Sequence, residues 1–432
     1  MSGRLSFLLV TIIAIFTVAS SCLASGESSS GEQYAQLRRG FAIRFRLMDR
    51  NRDGVLSQRE FRGAKEKFDM LDSNGDGVLT REEFYGTPSP RPQAAPAPQP
   101  KASPPATKTY AARSTVQFGL CTTPREFEQD KNEINELGFV AVRSPMPWQY
   151  VEPSEGQFQW NQLDTIIDTL RSQGIEVILV IRSISKWGIK TEAKKTGVYY
   201  SSAMPRDIRQ WERFVEALAT RYRGRGVHYE IENEVSAPAF WQGTKEEYAE
   251  LLKVSYQTIK RVDPKATVLA AAMPCGITRT FPGPEYPQFK TYHDDWLRYY
   301  LPTKAFDVVS VHNYYFPSGR TVNGFTFRSY QEHIYDLMRQ AGVAGKPVWI
   351  TEAGYVSRTT QARGRTDESS PEKQAQWIEE AVAQASELGV ERIFWILLRD
   401  RAESYFGVMG LADSSGRPRP AWKKIQELNP VR

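Results

Sequence analysis

From residue 116 onward, short apolar β-rich runs alternate with stretches of helical spacing, and this alternation restricts the fold more than any other feature of the chain. The runs are VQFGL (116–120), FVAVR (139–143), VILVI (177–181), HYEIE (228–232), VLAAA (268–272), VVSVH (308–312), VWITE (348–352) and IFWIL (393–397). Between them apolar residues recur at the spacing of one helix face, as in Leu163, Ile166, Ile167 and Leu170, in Trp211, Phe214, Val215 and Leu218, or in Ile334, Leu337, Met338 and Ala341. Eight helices follow, the last near residues 421–428. Nearly continuous apolar strands are buried on both faces, and eight of them in βα alternation close most naturally into a (β/α)8 TIM barrel, an α/β fold. The competing fold, a doubly wound open sheet, is disfavoured because LCTTP (120–124) stands where a Gly-rich dinucleotide or phosphate loop would follow the first strand. The barrel domain is placed at residues 111–431.

The C-terminal ends of barrel strands carry the site, so polar residues there are the informative ones. Strand two ends in Arg143, strand four in Asn233-Glu234, strand six in His312-Asn313-Tyr314, strand seven in Glu352 and strand eight near Trp395. Strands four and seven lie on opposite sides of the barrel mouth, so Glu234 and Glu352 can face each other across one sugar-sized gap. Two carboxyl groups ~5 to 5.5 Å apart are what a retaining glycosidase needs. Each residue also has a plainer reading: a glutamate ending a strand as a salt-bridged structural group, His312 as a satisfied core histidine, Trp395 as core.

This combination of Arg143, Asn233-Glu234, His312, Tyr314, Glu352 and Trp395 resembles the clan of barrel glycoside hydrolases with catalytic glutamates on strands four and seven. The resemblance covers nearly all of 115–431, including RSPMPWQYVEPSEGQFQW (143–160) and FGVMGLADSSGRPRPAW (406–422), and is nearest to families 39, 5 and 42. It implies retaining hydrolysis of a β-linked oligo- or polysaccharide, with Glu234 as acid/base, Glu352 as nucleophile and no cofactor for catalysis. Those roles agree with the chemistry of the neighbours. Asn233 can reach the sugar 2-hydroxyl, and Arg143 and Tyr314 can donate to Glu352 and keep it ionised. Glu234 needs burial and a nearby negative charge to hold its proton near neutral pH. Trp395, Trp148 and Trp187 are candidate stacking platforms for sugar rings, with core packing as the alternative for each. The segment 273–290, with Phe281, Tyr286 and Phe289, either walls the cleft or is only a loop.

Ahead of the barrel, residues 49–60 (DRNRDGVLSQRE) and 72–83 (DSNGDGVLTREE) both match the EF-hand calcium loop in full, which places a small all-α EF-hand pair at 33–85. A hard cation takes six to eight oxygens. Asp49, Asn51, Asp53, Ser57 and Glu60 supply them in the first loop with the Val55 carbonyl, and Asp72, Asn74, Asp76, Thr80 and Glu83 in the second with the Val78 carbonyl. Gly54 and Gly77 make the sharp turn, and the expected cofactor is Ca2+ at two sites. The first loop sums to net charge 0 and the second to −3, so the second is expected to bind more tightly. The loops start 23 residues apart, room for one shared helix, which resembles dockerin-like and bacterial extracellular pairs more than a groove-opening sensor. Calcium is therefore expected to stabilise or dock this module rather than join the chemistry.

Residues 88–105 hold eight of the chain's 26 prolines and read as an extended polyproline spacer within a linker at 86–110. The uncharged run Leu5 to Ala19 has fifteen residues. At ~1.5 Å each they fall short of a ~30 Å hydrocarbon core, so 1–24 reads as a cleaved export signal. Two cleavage readings compete: Ala19-Ser20-Ser21-Cys22 as a loose lipobox that lipidates Cys22, the one expected membrane link, and Cys22-Leu23-Ala24 as an ordinary cleavage site. With 56 Lys+Arg against 50 Asp+Glu and no run of five or six basic residues, nucleic acid is not an expected partner. A monomer is expected. Two rival readings compete with this one: a catalytically inactive glycan-binding barrel with a calcium-dependent docking module, and a metal-dependent barrel hydrolase. The second is weak, since the four histidines (228, 293, 312 and 333) include no His-x-His pair.

Overall fold

Each apolar run forms a strand, and in the computed structural model the eight strands pair in parallel and close on themselves. They are β1 (Gln117–Cys121), β2 (Ala141–Pro147), β3 (Glu176–Arg182), β4 (Val227–Ile231), β5 (Val268–Ala270), β6 (Val308–His312), β7 (Val348–Ala353) and β8 (Arg392–Trp395), with β8 pairing back onto β1. The main helices that alternate with them are α1 (Pro124–Glu136), α2 (Asn161–Ser172), α3 (Ile208–Arg221), α4 (Lys245–Val262), α5 (Phe289–Tyr300), α6 (Phe327–Gln340), α7 (Pro371–Glu387) and α8 (Pro420–Leu428). Local chemistry starts several of them. Thr123 and Thr244 cap α1 and α4 in reciprocal boxes with Glu126 and Glu247, which satisfy backbone N–H groups that the first turn leaves open.

The structure describes residues 48–49, 55–58, 60–61, 68, 71–72, 77–80 and 84, and then 116–429 except 192–194, 197–198, 276–288, 319–320, 323, 363–364, 368 and 402–405. The export run, Cys22, the proline spacer, Asn51, Asp53, Gly54, Asn74, Asp76, Glu83, Phe281 and Tyr286 lie outside the described residues, as does the side chain of Phe289. The chain divides into two compact units, 1–108 and 109–432. Among the described residues, no helix is long and apolar enough to cross a membrane.

Alternation along the strands sorts the barrel's apolar side chains into two layers. Cys121, Ala141, Ile178, Leu269, Val308, Trp349 and Phe394 form one buried cluster, a residue from every strand but β4. Their strand neighbours, such as Leu120, Val142, Leu179, Val309 and Ile350, belong to the larger cluster shared with the helices. Gly119 is required by this packing, since a Cβ there would lie 2.3 Å from the Phe394 ring.

Two departures from regularity shape the site. β2 does not end at Arg143 as the sequence reading expects; it runs on, with Ser144–Pro147 paired to Leu179–Arg182. Arg143 therefore lies within the strand, a buried cation compensated by carboxylates on other strands. β7 carries a bulge. Val311 pairs with Ile350 and His312 with Glu352, skipping Thr351, and on the other side Ile350 pairs with Ile393 and Ala353 with Trp395. Strict alternation would send Glu352 with Ile350 toward the helices; one extra residue re-aims it, which is a common use of bulges beside active sites.

Candidate active site

At the C-terminal end of β4 the backbone turns sharply, with positive φ at Glu232 (67°) and Glu234 (43°) on either side of Asn233. Non-glycine residues pay roughly 1–2 kcal/mol for that conformation, so the surrounding contacts must hold it. Glu232 is fully buried and does so: its carboxylate accepts from the Ser183 N–H at 2.6 Å and the Ser202 hydroxyl at 2.5 Å, beside Arg182. The kink carries Glu234 to the end of β6, where its Oε1 lies 2.8 Å from Nδ1 of His312. The same Nδ1 is 3.4 Å from Oε2 of Glu352. One ligand atom from each of Glu234, His312 and Glu352 falls within 4.8 Å of the others, so the two carboxylates face each other across a narrow gap.

Glu352 is held from two sides. Arg143 donates from Nη1 to its Oε1 at 2.8 Å, and Tyr314 donates its hydroxyl to Oε2 at 2.8 Å. Arg143 also donates from Nη2 to Oδ1 of Asn233 at 2.8 Å, which leaves the Asn233 amide N–H free of that bond. Burial pushes Glu234 above the usual carboxylate range, and the charge of Glu352 acts in the same direction, against the hydrogen bond from His312. Burial alone would raise Glu352 as well, but the His312 imidazole, the Arg143 guanidinium and the hydrogen bonds from Tyr314 and Arg143 hold it below its ordinary value. The two carboxyls are thus driven apart: one keeps its proton, the other gives it up. Their spacing with His312 is also compatible with a divalent cation, although the guanidinium on Glu352 opposes one.

Residues 109–399 match the family described as Cellulase (glycosyl hydrolase family 5), a span of more than half the chain. The chain belongs to glycosyl hydrolase family 5. Residues 41–63 and 66–85 match the EF-hand family. Among curated proteins, endo-1,4-beta-xylanase A of Fusarium oxysporum is 28% identical over 127 residues, which are 27% of this chain and 35% of the relative. Endo-1,4-beta-xylanase 1 of Gibberella zeae is 24% identical over 124 residues, 27% of this chain and 32% of the relative. The matched stretch thus spans about a third of the length of these curated relatives. Among solved structures, a family 39 β-xylosidase from Caulobacter crescentus superposes with TM-score 0.56 at 18% identity, covering 73% of this chain and 71% of the other. A family 39 glycoside hydrolase from Bacteroides cellulosilyticus gives TM-score 0.51 at 18% identity, covering 73% of this chain and 63% of the other. At such identities the likeness is one of fold.

Within the family 5 barrel the three tryptophans part company. Trp148 is fully buried among Trp187, Trp211 and Phe214, with its indole N–H on Glu152 at 2.7 Å. Trp395 is 2% exposed, edge-on to Trp377, and donates to the Met409 carbonyl. Neither offers a ring face to a sugar, which corrects the stacking expectation: both fill core space beneath the rim. Trp187 is half-buried on the loop after β3, its indole N–H on the Glu152 carbonyl at 3.0 Å. Three functional neighbours escaped the sequence reading: Glu230, Glu232 and Arg182. A signal for them existed, because carboxylates at alternate positions of a strand buried on both faces must find cationic or hydrogen-bonding partners. Cys121 and Cys275 are buried and unbridged, and burial pushes the Cys121 thiol up to about 12, so it stays neutral.

In the N-terminal unit, Leu56–Ser57 pairs antiparallel with Val78–Leu79 and joins the two loops at their eighth positions, Leu56 and Leu79. These leucines pack with Phe68, Phe61 and Phe84. Gly77, at φ 83°, makes the turn and donates its N–H to Asp72 Oδ2 at 3.0 Å, while Ser57 donates to Glu60 Oε2 at 2.7 Å. The described loop residues fit a calcium ion, since their donor set is oxygen throughout. Asp49, Val55, Ser57, Glu60, Asp72, Val78 and Thr80 would take part in holding it.

Proposed function

We propose that the family 5 barrel is a retaining β-glycosidase with Glu352 as nucleophile and Glu234 as acid/base. One observation carries this reading: the two carboxylates approach within 4.8 Å with oppositely shifted acidities. An inverting pair stands ~6.5 to 9.5 Å apart to leave room for a water. In the first step the Glu352 carboxylate attacks the anomeric carbon while Glu234 gives its proton to the glycosidic oxygen. The C–O bond breaks, the leaving group departs as an alcohol and an ester to Glu352 forms. Esterification removes the negative charge that helped to raise Glu234, which then takes a proton from water. The water oxygen attacks the same carbon, the ester breaks, and both glutamates return to their starting states with the β configuration kept.

Arg143 and Tyr314 aim the nucleophile, and the Asn233 amide donates to the sugar 2-hydroxyl. Trp187 supplies a stacking face. A β-1,4-linked xylose chain is the first substrate to try, because the curated relatives are named endo-1,4-beta-xylanases. The EF-hand loops hold Ca2+ as a stabilising or docking device. The N-terminal apolar run exports a monomeric enzyme, with or without a lipid on Cys22. The test is a 2-deoxy-2-fluoro-β-xyloside with a good leaving group. Mass spectrometry is expected to find the fluorosugar on the peptide bearing Glu352 and none on E352Q. Turnover of xylosides with no label, or a label on another residue, overturns the assignment.

A further inference from the structure

The Arg143 guanidinium has five N–H donors in one plane, and every one has a target. Nε and Nη2 meet the two carboxylate oxygens of Glu230 at 2.6 and 3.2 Å. The second Nη2 hydrogen goes to Asn233, and Nη1 serves Glu352 at 2.8 Å and the Cys121 sulfur at 3.9 Å. Glu230 is fully buried in β4, below the rim, and touches no reacting atom. Because the fork is rigid, fixing its Nε edge fixes the direction of Nη1, which is the group that aims Glu352.

A second consequence follows from charge, and it rests on Glu352 being the nucleophile. In the resting enzyme Arg143 faces two carboxylates. Once Glu352 becomes an ester its charge is gone, and without Glu230 the guanidinium would stand as an uncompensated cation in the barrel interior. We propose that Glu230 is a positioning residue that holds Arg143 in place and neutralises it through both halves of the cycle. It keeps Arg143 from locking Glu352 into its ionised ground state, so that ester formation leaves no orphaned charge.

The conservative pair E230Q and E230D tests this, measured on the full chain with thermal unfolding as the folding check. E230Q keeps the shape and removes the charge. Losing a negative neighbour lowers the pKa of both Glu352 and Glu234, so the whole pH–kcat bell is expected to move toward acid by about one pH unit. kcat should fall on the order of 10²-fold with KM little changed. E230D keeps the charge but shortens the reach, so kcat falls while the bell stays where it is. A folded E230Q with an unmoved bell overturns the proposal, and so does an E230D with wild-type kcat or a shifted bell. If E230Q does not fold, E230D decides alone. Carbon-13 titration of the glutamate carboxyls reads the same shift without substrate. A wild-type protein lacking glycosidase activity would therefore count against the proposed function, and an unmoved Glu352 titration in E230Q against the brace.

Discussion

Glu234 and Glu352 stand face to face, yet their neighbours are chosen for opposite ends. Glu234 has burial and a negative neighbour; Glu352 has a guanidinium, a phenol and an imidazole. The sign of the pH dependence follows. With Glu352 as the proposed nucleophile and Glu234 as the proposed acid, activity would need Glu352 ionised and Glu234 protonated, so it would be gained as pH rises through a Glu352 value below the ordinary carboxylate range and lost as pH rises through a Glu234 value above it. The kcat/KM profile should be a bell whose acid limb lies below ~4.3 and whose alkaline limb lies above it. E234Q should abolish the alkaline limb for substrates with leaving groups that need no proton. A profile with a single acid limb in the wild type would show that Glu234 is not the acid. The residues of this pair could be picked out from the sequence because they end strands four and seven. Glu230 could not be given a partner, since which cation reaches it depends on β2 running past Arg143.

At the scale of elements, strand existence was plain from the apolar runs, whereas strand ends and register were not. The extension of β2 and the Thr351 bulge are set by the neighbouring strands' pairing, a non-local property that no local pattern encodes. The tryptophans illustrate the same point: Trp148 and Trp187 are both aromatic rim candidates by position, and only packing shows that one is core and the other half-exposed. The two-layer wall gives a prediction at this scale. Gly119→Ala pushes a methyl group into the Phe394 ring, so the ring or the β1 backbone must shift. Overpacking of this kind costs about 1–3 kcal/mol. Thermal unfolding of G119A should show a clear drop in Tm, and a Tm equal to wild type would mean that the lumen is looser than this packing implies.

For the whole molecule, an EF-hand pair and a family 5 barrel share one chain as two compact units. The EF-hand loops were readable position by position because ion coordination fixes residue type at each step, and the barrel because its strands repeat. The substrate was not, since it is chosen by loops with no such period. If calcium serves only the N-terminal unit, chelation of the full chain should leave kcat on a soluble xyloside unchanged. Calorimetry should show a larger loss of affinity for D72A than for D49A, given net charges of −3 and 0 in the two loops. A fall in kcat on chelation would tie the ion to the barrel's chemistry.

The most direct check of the double-displacement reading is the configuration of the first product. Proton NMR of an aryl β-xyloside reaction, recorded within minutes of adding enzyme, is expected to show the β-anomer of the free sugar first, with the α-anomer growing in only by mutarotation. An α-anomer appearing first would mean that water attacks directly, and Glu352 would not be a nucleophile.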